Sequence, residues 1–465
     1  MFAEFCKEET EMEIEKLVEA QRKYFRTGKT RPVKFRREML LRLRRSLFDH
    51  EKMLAEAMYE DMNKSRLEVY MTETGMVLDE IRFHLKHIDG WVRPKLRRTP
   101  MAQFPSKSFV RPEPRGVALI MAPWNYPIQL ALEPLVGAIS AGCTAIIKLP
   151  SYAPKTSEAV ARVIEDVFPP EYIAVVQGGR EENRTLLDQK FDYIFFTGSR
   201  EVGKVVMSAA AEHLTPVTLE LGGKSPVIVD ETADIRLAAR RIAFGKVLNG
   251  GQTCVAPDYL LIHEDVKEKF ITAYREAIGE FFPGGDMSDM NVIINEKHYA
   301  RVSRLLKDGR AVVGGGTDSS RRFIEPTLLD QVSPDSDIMK EEIFGPILPM
   351  LTFRRLEECV EFISSRPHPL ALYLFTKSRA AERKVLGSCI SGGACVNDTI
   401  MHLATSRMPF GGVGDSGMGG YHGKSSFDTF THYRSVLKKS NRLDIPVRYR
   451  PYSDRKENLI RLLMK

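Results

Sequence analysis

The sequence predicts an α/β protein with a doubly wound parallel sheet, a second α/β unit and a small β arm. Two observations predict the two α/β units, and a third indicates that the chain can bury their cores. Short apolar runs alternate with helical patterns from residue 116 onward, a second such alternation covers about residues 227–397, and 43% of the 465 residues are hydrophobic. Buried strands that alternate with helices indicate parallel pairing with right-handed crossovers. Sheets of this kind tend to bind ligands beyond the carboxyl ends of their strands.

The N-terminal part, about residues 10–90, predicts helices. Apolar residues recur there at helical spacing in two groups, which are Met39, Leu40, Leu43 and Leu47, then Met76, Ile81, Leu85 and Ile88. Two prolines, Pro94 and Pro100, end the pattern. Residues 95–114 hold few apolar side chains among prolines and polar residues, so they predict an extended hairpin outside the core.

The strands of the two alternations are predicted from their apolar runs. The first alternation contains GVALIMAP, TAIIKLP, YIAVVQGG, DYIFFTGS and TPVTLELGG. The second contains YLLIHE, FIEPTLL, ILPMLTF, ALYLFT and GACVN. A Gly-rich loop, MPFGGVGDSGMGGYHGK, comes next, and FTHYRSVLKK then alternates well enough to predict a late strand.

Several functional classes are disfavoured by the composition. No apolar run approaches the roughly 18 residues that would span a bilayer. The acidic start, MFAEFCKEETEME, lacks the apolar region of a signal peptide. The six cysteines form no C-x-x-C pair, which predicts reduced, unpaired thiols with neither a disulfide frame nor a zinc site. We therefore expect a cytoplasmic protein without a metal.

The net charge of +7 is concentrated in two stretches. Residues 26–45 hold nine basic residues and one acid, and residues 434–465 hold ten basic residues and three acids. A nucleic-acid surface would also show a recognisable fold or aromatic residues placed among the basic ones. Neither is present, so we interpret the first basic stretch as solvated helix faces and the second as a solvated tail. No nucleic-acid partner is expected.

A candidate anion site follows the YIFF strand, in FTGSREVGK. Strict G-x-G-x-x-G is absent, but Gly198 and Gly203 lie where a helix N-terminus would offer free N–H groups and a positive dipole end to a pyrophosphate. Lys148 ends the second strand, close to the same edge, and can bond ribose or phosphate oxygens. Glycines that only serve the turn, and a surface lysine, remain the alternatives.

Four residues are candidates for chemistry, each with a structural alternative. Glu220, between two leucines, and Glu342, in KEEIFGP, are either desolvated bases with a raised pKa or polar residues of an edge strand. Asn125, in APWNYP, is either an oxyanion donor or a turn residue. Cys254, in NGGQTC, is either a nucleophile or a buried filler.

Taken together, the motifs decide more than any one of them. APWNYP, FTGSREVGK, LELGGKSP, NGGQTC, EEIFGP and MPFGGVGDSGMG occur in this order and resemble the aldehyde dehydrogenase superfamily. The closing YHGKSSFDTFTH is similar to the class 3 branch, and the resemblance extends from the N-terminal helices to about Ser440. It implies a non-acylating oxidoreductase that uses NAD or NADP to oxidise aldehydes, medium- or long-chain aliphatic or aromatic, to carboxylic acids.

The resemblance also implies the catalytic roles. Cys254 matches the nucleophile, which forms a thiohemiacetal and then a thioester. Asn125, together with the backbone N–H of Cys254, matches the oxyanion hole. Glu220 matches the general base that activates water to release the acid.

Cofactor contacts follow by position in the same way. Glu342 matches the residue on the nicotinamide ribose, Phe344 lies beside the nicotinamide, and Lys148 contacts the adenosine ribose. The cofactor-binding turn comprises Gly198, Ser199, Arg200, Glu201, Val202 and Gly203. No metal is implied.

One departure concerns the cofactor. The family usually reads K-P-S-E after the second strand, whereas this chain reads KLPSYAP and has Ser151 where the glutamate stands. That glutamate accepts hydrogen bonds from the adenosine-ribose hydroxyls and repels a 2′-phosphate. A serine removes the repulsion, and Lys148 can pair with the added charge. We therefore expect NADP⁺ to be accepted as well as NAD⁺.

The order of the motifs implies a division into parts. We expect an NAD(P)-binding domain at residues 1–94 and 115–223 and a catalytic domain at 224–420. Residues 95–114 and 428–440 would form an oligomerisation arm, since class 3 relatives are typically homodimers. A C-terminal tail follows at 441–465. Because this tail is basic and ends in apolar residues, we expect at most weak peripheral membrane contact through it.

Competing functions meet specific objections in the residues. A CoA-acylating enzyme generally lacks the base glutamate that Glu220 matches. A cysteine hydrolase needs a histidine partner, and no histidine lies in a matching motif. A binding protein that had lost catalysis should have changed at Cys254, Glu220 or Asn125, and all three match.

Overall fold

The computed structural model describes the backbone of residues 2–464 and the side chains of residues 12–464. Its strands are β1 (Lys95–Arg97), β2 (Ser106–Pro114), β3 (Val117–Met121), β4 (Thr144–Lys148), β5 (Ile173–Val176), β6 (Tyr193–Gly198), β7 (Val217–Leu221), β8 (Pro226–Val229), β9 (Tyr259–His263), β10 (Arg310–Val313), β11 (Thr317–Asp318), β12 (Phe323–Ile324), β13 (Thr327–Asp330), β14 (Ile347–Phe353), β15 (Ala371–Phe375), β16 (Gly393–Val396), β17 (Gly417–Met418) and β18 (Thr431–Lys439). Its α-helices are α1 (Phe2–Arg26), α2 (Val33–Asp49), α3 (Glu51–Met62), α4 (Arg66–Val69), α5 (Gly75–Trp91), α6 (Gln129–Ala141), α7 (Pro154–Glu165), α8 (Arg180–Leu187), α9 (Arg200–Glu212), α10 (Ile235–Val247), α11 (Lys267–Phe281), α12 (Glu296–Arg304), α13 (Asp337–Lys340), α14 (Leu356–Ser364), α15 (Arg379–Ser388), α16 (Lys424–Thr429) and α17 (Asp454–Leu463).

The first sheet has six strands in the order β17-β7-β6-β3-β4-β5. Its strands are parallel except at one edge, where β17 runs antiparallel to β7. The apolar runs of β3 and β4 are buried on both faces, as a parallel sheet covered on both sides requires. Helix α6, buried along its whole length, packs on β3 and β4. All five strands predicted for the first alternation are confirmed.

The second sheet has seven strands in the order β10-β13-β14-β9-β8-β15-β16, parallel except between β10 and β13. Strands β8 and β10 were not among the predicted runs. The run FIEPTLL, predicted as one strand, is divided into β12, which pairs with β11, and β13, which joins the sheet. Pro326 lies at the division, where its missing N–H cannot contribute to a ladder.

The small arm is a three-stranded antiparallel sheet in the order β1-β2-β18. Strand β18 pairs with β2 along nine residues, so the predicted hairpin and late strand are both confirmed. Helix α17 follows in the tail and has no buried residue. Within residues 2–464, no helix is both long enough and apolar enough to cross a membrane.

Candidate active site

A cavity of ≈1010 Å³ lies where the two sheets approach each other. The first sheet contributes the segments that follow the carboxyl ends of β3, β6 and β7, which is where ligands bind in such sheets. The second half contributes the connection between α10 and β9, which carries Cys254, and the connection between α13 and β14, which carries Glu342 and Phe344. Much of the remaining lining is apolar or aromatic.

Cys254 follows a tight turn at the end of α10. Asn249, Gly250 and Gly251 all have positive φ there, and the turn presents the thiol to the cavity. A side chain at Gly251 would collide with the backbone of Gly345, so glycine lets the Cys254 and Phe344 loops pack closely. Burial, followed by the nearby carboxylates of Glu342 and Glu220, raises the pKa of the Cys254 thiol to about 12.

Asn125 is held against the loop that carries the cysteine. Its side-chain Nδ2 donates to the backbone O of Gln252 at 3.0 Å, and Asn249 Nδ2 donates to the backbone O of Asn125 at 2.9 Å. One N–H of the Asn125 amide is therefore committed to the scaffold. Because Asn125 also lines the cavity, its second N–H is available to an oxygen bound there.

Glu220 lies on β7, buried to 3% exposure, and it lines the same cavity. Neither of its carboxylate oxygens has a hydrogen-bond partner among the described residues. Burial alone raises the pKa of Glu220 well above the usual value for a glutamate. Of the two readings that the sequence left open for Glu220, the burial agrees with the desolvated carboxyl, and such a group can accept a proton near neutral pH.

Glu342 and Phe344 lie on a loop that is fixed from several sides. Burial, with a smaller contribution from Asp258, raises the pKa of Glu342 to about 8. Phe344 has φ 51°, a conformation that costs a non-glycine residue about 1–3 kcal/mol. Its ring meets that of Trp124 edge-on, with centroids 5.3 Å apart.

Lys224 holds this loop in place. Its Nζ donates to the backbone oxygens of Ile338 at 2.7 Å and Glu341 at 2.8 Å, and it pairs with Asp258. The second oxygen of Asp258 accepts the backbone N–H of Ile343 at 3.0 Å. The loop is therefore positioned independently of any ligand. Sequence analysis did not single out Lys224, although it lies in the quoted LELGGKSP motif.

The turn after β6 leaves backbone N–H groups open at the start of α9. Ser199 caps α9 by accepting the N–H of Val202 at 3.4 Å, which leaves the other amides of the first turn without intrahelical partners. Gly203 lets α9 approach β7, because a Cβ there would lie 2.6 Å from a methyl group of Leu221. Gly198, Ser199, Arg200 and Glu201 line the cavity. Val202 and Gly203 do not.

Two further predicted cofactor residues, Lys148 and Ser151, also lie outside the cavity lining. Lys148, at the end of β4, is 3% exposed and donates to the backbone oxygens of Leu149 at 2.7 Å and Gly178 at 2.8 Å. Burial lowers the pKa of Lys148 to about 8. Ser151 is exposed in the turn that precedes α7.

The cavity fits a ligand that carries hydroxyl and phosphate groups. Thr197 Oγ1 and Glu342 Oε1 are buried without hydrogen-bond partners among the described residues, and both residues line the cavity. Any side chain at Gly222 would occupy the space taken by the Glu342 carboxylate. Within residues 12–464, no group of three or more His, Cys, Asp or Glu side chains could hold a metal ion.

Sequence analysis missed a buried polar cluster that reaches the cavity wall. His422, in the quoted YHGK motif, lines the cavity, and its Nε2 lies 3.4 Å from Glu133 Oε2. The next residue, Gly423, donates its backbone N–H to Glu80 at 2.6 Å. Glu80 also contacts His84 Nε2 at 3.0 Å. No local pattern links these residues, because their contacts span up to 343 positions of the chain.

Comparison with known proteins identifies the chain. The profile of the aldehyde dehydrogenase family matches residues 3–436. The 4,4'-diaponeurosporen-aldehyde dehydrogenase of Staphylococcus aureus is 50% identical over 433 residues, which cover 92% of this chain and 94% of that protein. Mouse aldehyde dehydrogenase family 3 member B3 is 44% identical over 459 residues, covering 97% of this chain and 94% of that protein.

Solved structures agree with the sequence comparison. The substrate-bound structure of Staphylococcus aureus AldH superposes with a TM-score of 0.95 at 48% identity, covering 97% of this chain and 99% of that one. An indole-3-acetaldehyde dehydrogenase in complex with NAD⁺ superposes with a TM-score of 0.85 at 27% identity, covering 92% of this chain and 89% of that one. The chain thus shares its α/β fold with solved aldehyde dehydrogenases.

The chain belongs to the aldehyde dehydrogenase family. It is an oxidoreductase that acts on aldehydes, and the family to which it belongs is NAD(P)-dependent. The predicted fold class, family and enzyme class are confirmed.

Proposed function

We propose that this enzyme oxidises apolar aldehydes to carboxylic acids through a covalent intermediate on Cys254, with either NAD⁺ or NADP⁺ as oxidant. The observation that carries the proposal is the convergence, in one apolar cavity, of the Cys254 thiol, the Asn125 amide and the unpartnered Glu220 carboxyl. These three groups have the roles of nucleophile, oxyanion donor and base.

The first step begins with a protonated thiol, because the pKa of Cys254 is about 12. Glu220 accepts the thiol proton, so a negative charge moves from carboxylate to sulphur and the cavity gains no net charge. The sulphur attacks the aldehyde carbon, and the resulting oxyanion accepts hydrogen bonds from Asn125 Nδ2 and the backbone N–H of Cys254. Asn125 is already fixed by Gln252, so little reorganisation is needed.

The bound nicotinamide supplies the hydride acceptor for the oxidation. Glu342 would hold the nicotinamide ribose and Phe344 would lie beside the ring. The turn from Gly198 to Gly203 would hold the pyrophosphate, and Lys148 the adenosine ribose. The orphaned Glu342 oxygen supports the first of these roles.

Hydrolysis then releases the acid from the Cys254 thioester. Glu220 first passes the thiol proton to solvent and becomes a carboxylate again. It then takes a proton from water as the water oxygen attacks the acyl carbon, the carbon–sulphur bond breaks, and this proton passes to the sulphur. A buried carboxyl with a raised pKa suits both the uptake and the return of a proton. Added coenzyme A should leave turnover unchanged, since water is the acyl acceptor.

Dual use of NAD⁺ and NADP⁺ is proposed from Ser151 and Lys148. The exposed Ser151 brings no negative charge toward a 2′-phosphate, and Lys148 keeps a proton up to a pH of about 8. We expect Ser151→Glu to lower kcat/KM with NADP⁺ and to leave kcat/KM with NAD⁺ unchanged or higher. An unchanged NADP⁺/NAD⁺ preference would contradict this assignment.

The substrate class and the assembly belong to the same proposal. The apolar lining favours medium- or long-chain aliphatic or aromatic aldehydes, and the relative from Staphylococcus aureus is named for a diaponeurosporen-aldehyde. Residues 95–114 and 428–440 are proposed as the arm of a homodimer, and β18 offers an edge for pairing. A cytoplasmic location is proposed, with at most weak membrane contact through the exposed tail.

The proposed division into parts is unchanged, with NAD(P) binding at 1–94 and 115–223 and catalysis at 224–420. The division does not follow the sheets at one edge, since β17, within 224–420, pairs with β7 of the first sheet. The Gly-rich loop thus joins the strand that carries Glu220.

The decisive experiment follows absorbance of the reduced cofactor with hexanal, decanal or benzaldehyde, and NAD⁺ and NADP⁺ supplied separately. We expect turnover that Cys254→Ala abolishes, while Cys395→Ala, which changes a half-buried cysteine outside the cavity lining, leaves turnover intact. Turnover that survived in Cys254→Ala would rule out the covalent mechanism.

A further inference from the structure

An ion pair spans the mouth of the cavity at the proposed pyrophosphate turn. Arg200, the first residue of α9, pairs through its guanidinium with Asp415 of the Gly-rich loop. Both residues line the cavity, and their side chains are 48% and 37% exposed. The pair therefore links the turn after β6 to the loop that precedes β17.

The position of Arg200 is unfavourable for a cation by itself. The N-terminus of a helix carries a partial positive charge, so an arginine in the first turn is repelled by its own helix. An anion next to the guanidinium offsets this repulsion. In the structure the anion is the Asp415 carboxylate.

A second observation near the same turn is a buried hydroxyl without a partner in the described part of the chain, which points to a ligand. Thr197, three residues before Arg200, lines the cavity and is 92% buried. Its side-chain Oγ1 has no hydrogen-bond partner among the described residues. An acceptor oxygen bound at the turn would satisfy this hydroxyl. The same oxygen would lie among the open amides of the α9 first turn.

We infer that Arg200 binds the diphosphate of the cofactor and that Asp415 is an internal carboxylate which competes for Arg200 until the cofactor arrives. The inference rests on the proposed use of NAD⁺ or NADP⁺. A diphosphate carries more charge than one carboxylate, and the planar guanidinium fork matches phosphate oxygens in the same two-point fashion. Exchange of partners keeps Arg200 paired throughout and releases Asp415 to solvent.

Competition makes opposite predictions for the two residues. Arg200→Ala removes a charge-assisted contact to the ligand, so we expect the cofactor Kd to rise by about tenfold. Asp415→Asn removes the competitor, so we expect the Kd to fall by about two- to fivefold, the range of an exposed ion pair. Because Asp415 acts through Arg200, Asp415→Asn should have little effect when Arg200 is already alanine.

The test is a double-mutant cycle measured by isothermal titration calorimetry, which requires no turnover. The intact protein, Arg200→Ala, Asp415→Asn and the double variant are titrated with NAD⁺ and with NADP⁺. Arg379→Ala is the matched control, because Arg379 is an exposed arginine that also follows a serine cap at the start of a helix, α15, and does not line the cavity. Its Kd should stay within twofold of the unmodified protein, and circular dichroism verifies the fold of each variant.

Each outcome decides the inference. A gain from Asp415→Asn that vanishes in the Arg200→Ala background supports competition. An equal gain in both backgrounds would mean that Asp415 merely repels the diphosphate, and it would overturn the inference, as would an unchanged Kd in Arg200→Ala. Absence of binding by the unmodified protein would contradict the proposed cofactor use itself.

Discussion

Two buried glutamates, Glu220 and Glu80, have opposite environments within the same half of the molecule. Glu80 is 1% exposed and Glu220 is 3% exposed. Glu80 is bonded to His84, Ser426 and the backbone of Gly423, whereas the Glu220 carboxylate has no partner among the described residues. Burial raises the pKa of Glu220, but at Glu80 the interactions with His84, His422 and Ser406 together outweigh burial and bring the pKa down to about 2. The difference distinguishes a carboxylate that stabilises the fold from one that is held ready for chemistry.

Among the substitutions considered, replacing Glu220 should cause the largest change, and that change should be a loss of catalytic activity. Glu220→Gln removes the proposed base, so we expect kcat to fall by about 10²- to 10⁴-fold. The thermal midpoint should not fall, because the variant loses a charge that burial disfavours and no hydrogen bond. Steady-state rates and a thermal melt at pH 8 test both expectations. A kcat within tenfold of the unmodified enzyme would remove Glu220 from the mechanism.

Replacing Glu80 should reverse this pattern. Glu80→Gln deprives His84 of its charged partner, and the pKa shift at Glu80 corresponds to about 3 kcal/mol of unfolding free energy. Because the folded pKa lies below the unfolded one, this stabilisation is complete above about pH 4.5 and is lost as the pH falls toward 2.

Denaturant unfolding at pH 7 and at pH 3.5 measures the effect. The variant should be clearly less stable at pH 7, and the difference should shrink at pH 3.5. The folded fraction of the variant should retain kcat within about tenfold, because Glu80 is not among the cavity-lining residues. A loss of kcat as large as that of Glu220→Gln would contradict the distinction between the two sites.

The contrast also explains how much the sequence could predict. Strands β3, β4 and β6 could be predicted from their apolar runs. Cys254, Glu220 and Asn125 could be predicted as site residues from an ordered set of motifs. The partners of Glu80 could not be predicted, because Ser426 and Gly423 lie 346 and 343 positions away and meet it only in the fold. The two-residue strand β17 was missed for a similar reason, since a segment this short has no periodicity of its own.

The smallest expected effect belongs to Glu342. The rise in its pKa caused by burial is offset in part by the Gly223 backbone N–H and by Lys224. With a pKa of about 8, Glu342 is charged at pH 9 and mostly neutral at pH 6. Its charge disfavours the Cys254 thiolate, so Glu342→Gln should accelerate alkylation of Cys254 by iodoacetamide about two- to tenfold at pH 9.

The acceleration in Glu342→Gln should disappear at pH 6, where the unmodified protein has already lost the charge. Mass spectrometry of the Cys254 peptide, without cofactor or aldehyde, measures the rate separately from the other cysteines. Glu341→Gln is the control, because Glu341 pairs with Arg301 and Arg304, whereas the carboxylates that raise the pKa of Cys254 are Glu342 and Glu220. A rate ratio that stayed constant from pH 6 to pH 9 would mean that the Glu342 charge does not reach the thiol. The raised pKa of Glu342 would then be a consequence of its burial alone, with no electrostatic effect of its carboxylate on the Cys254 thiol.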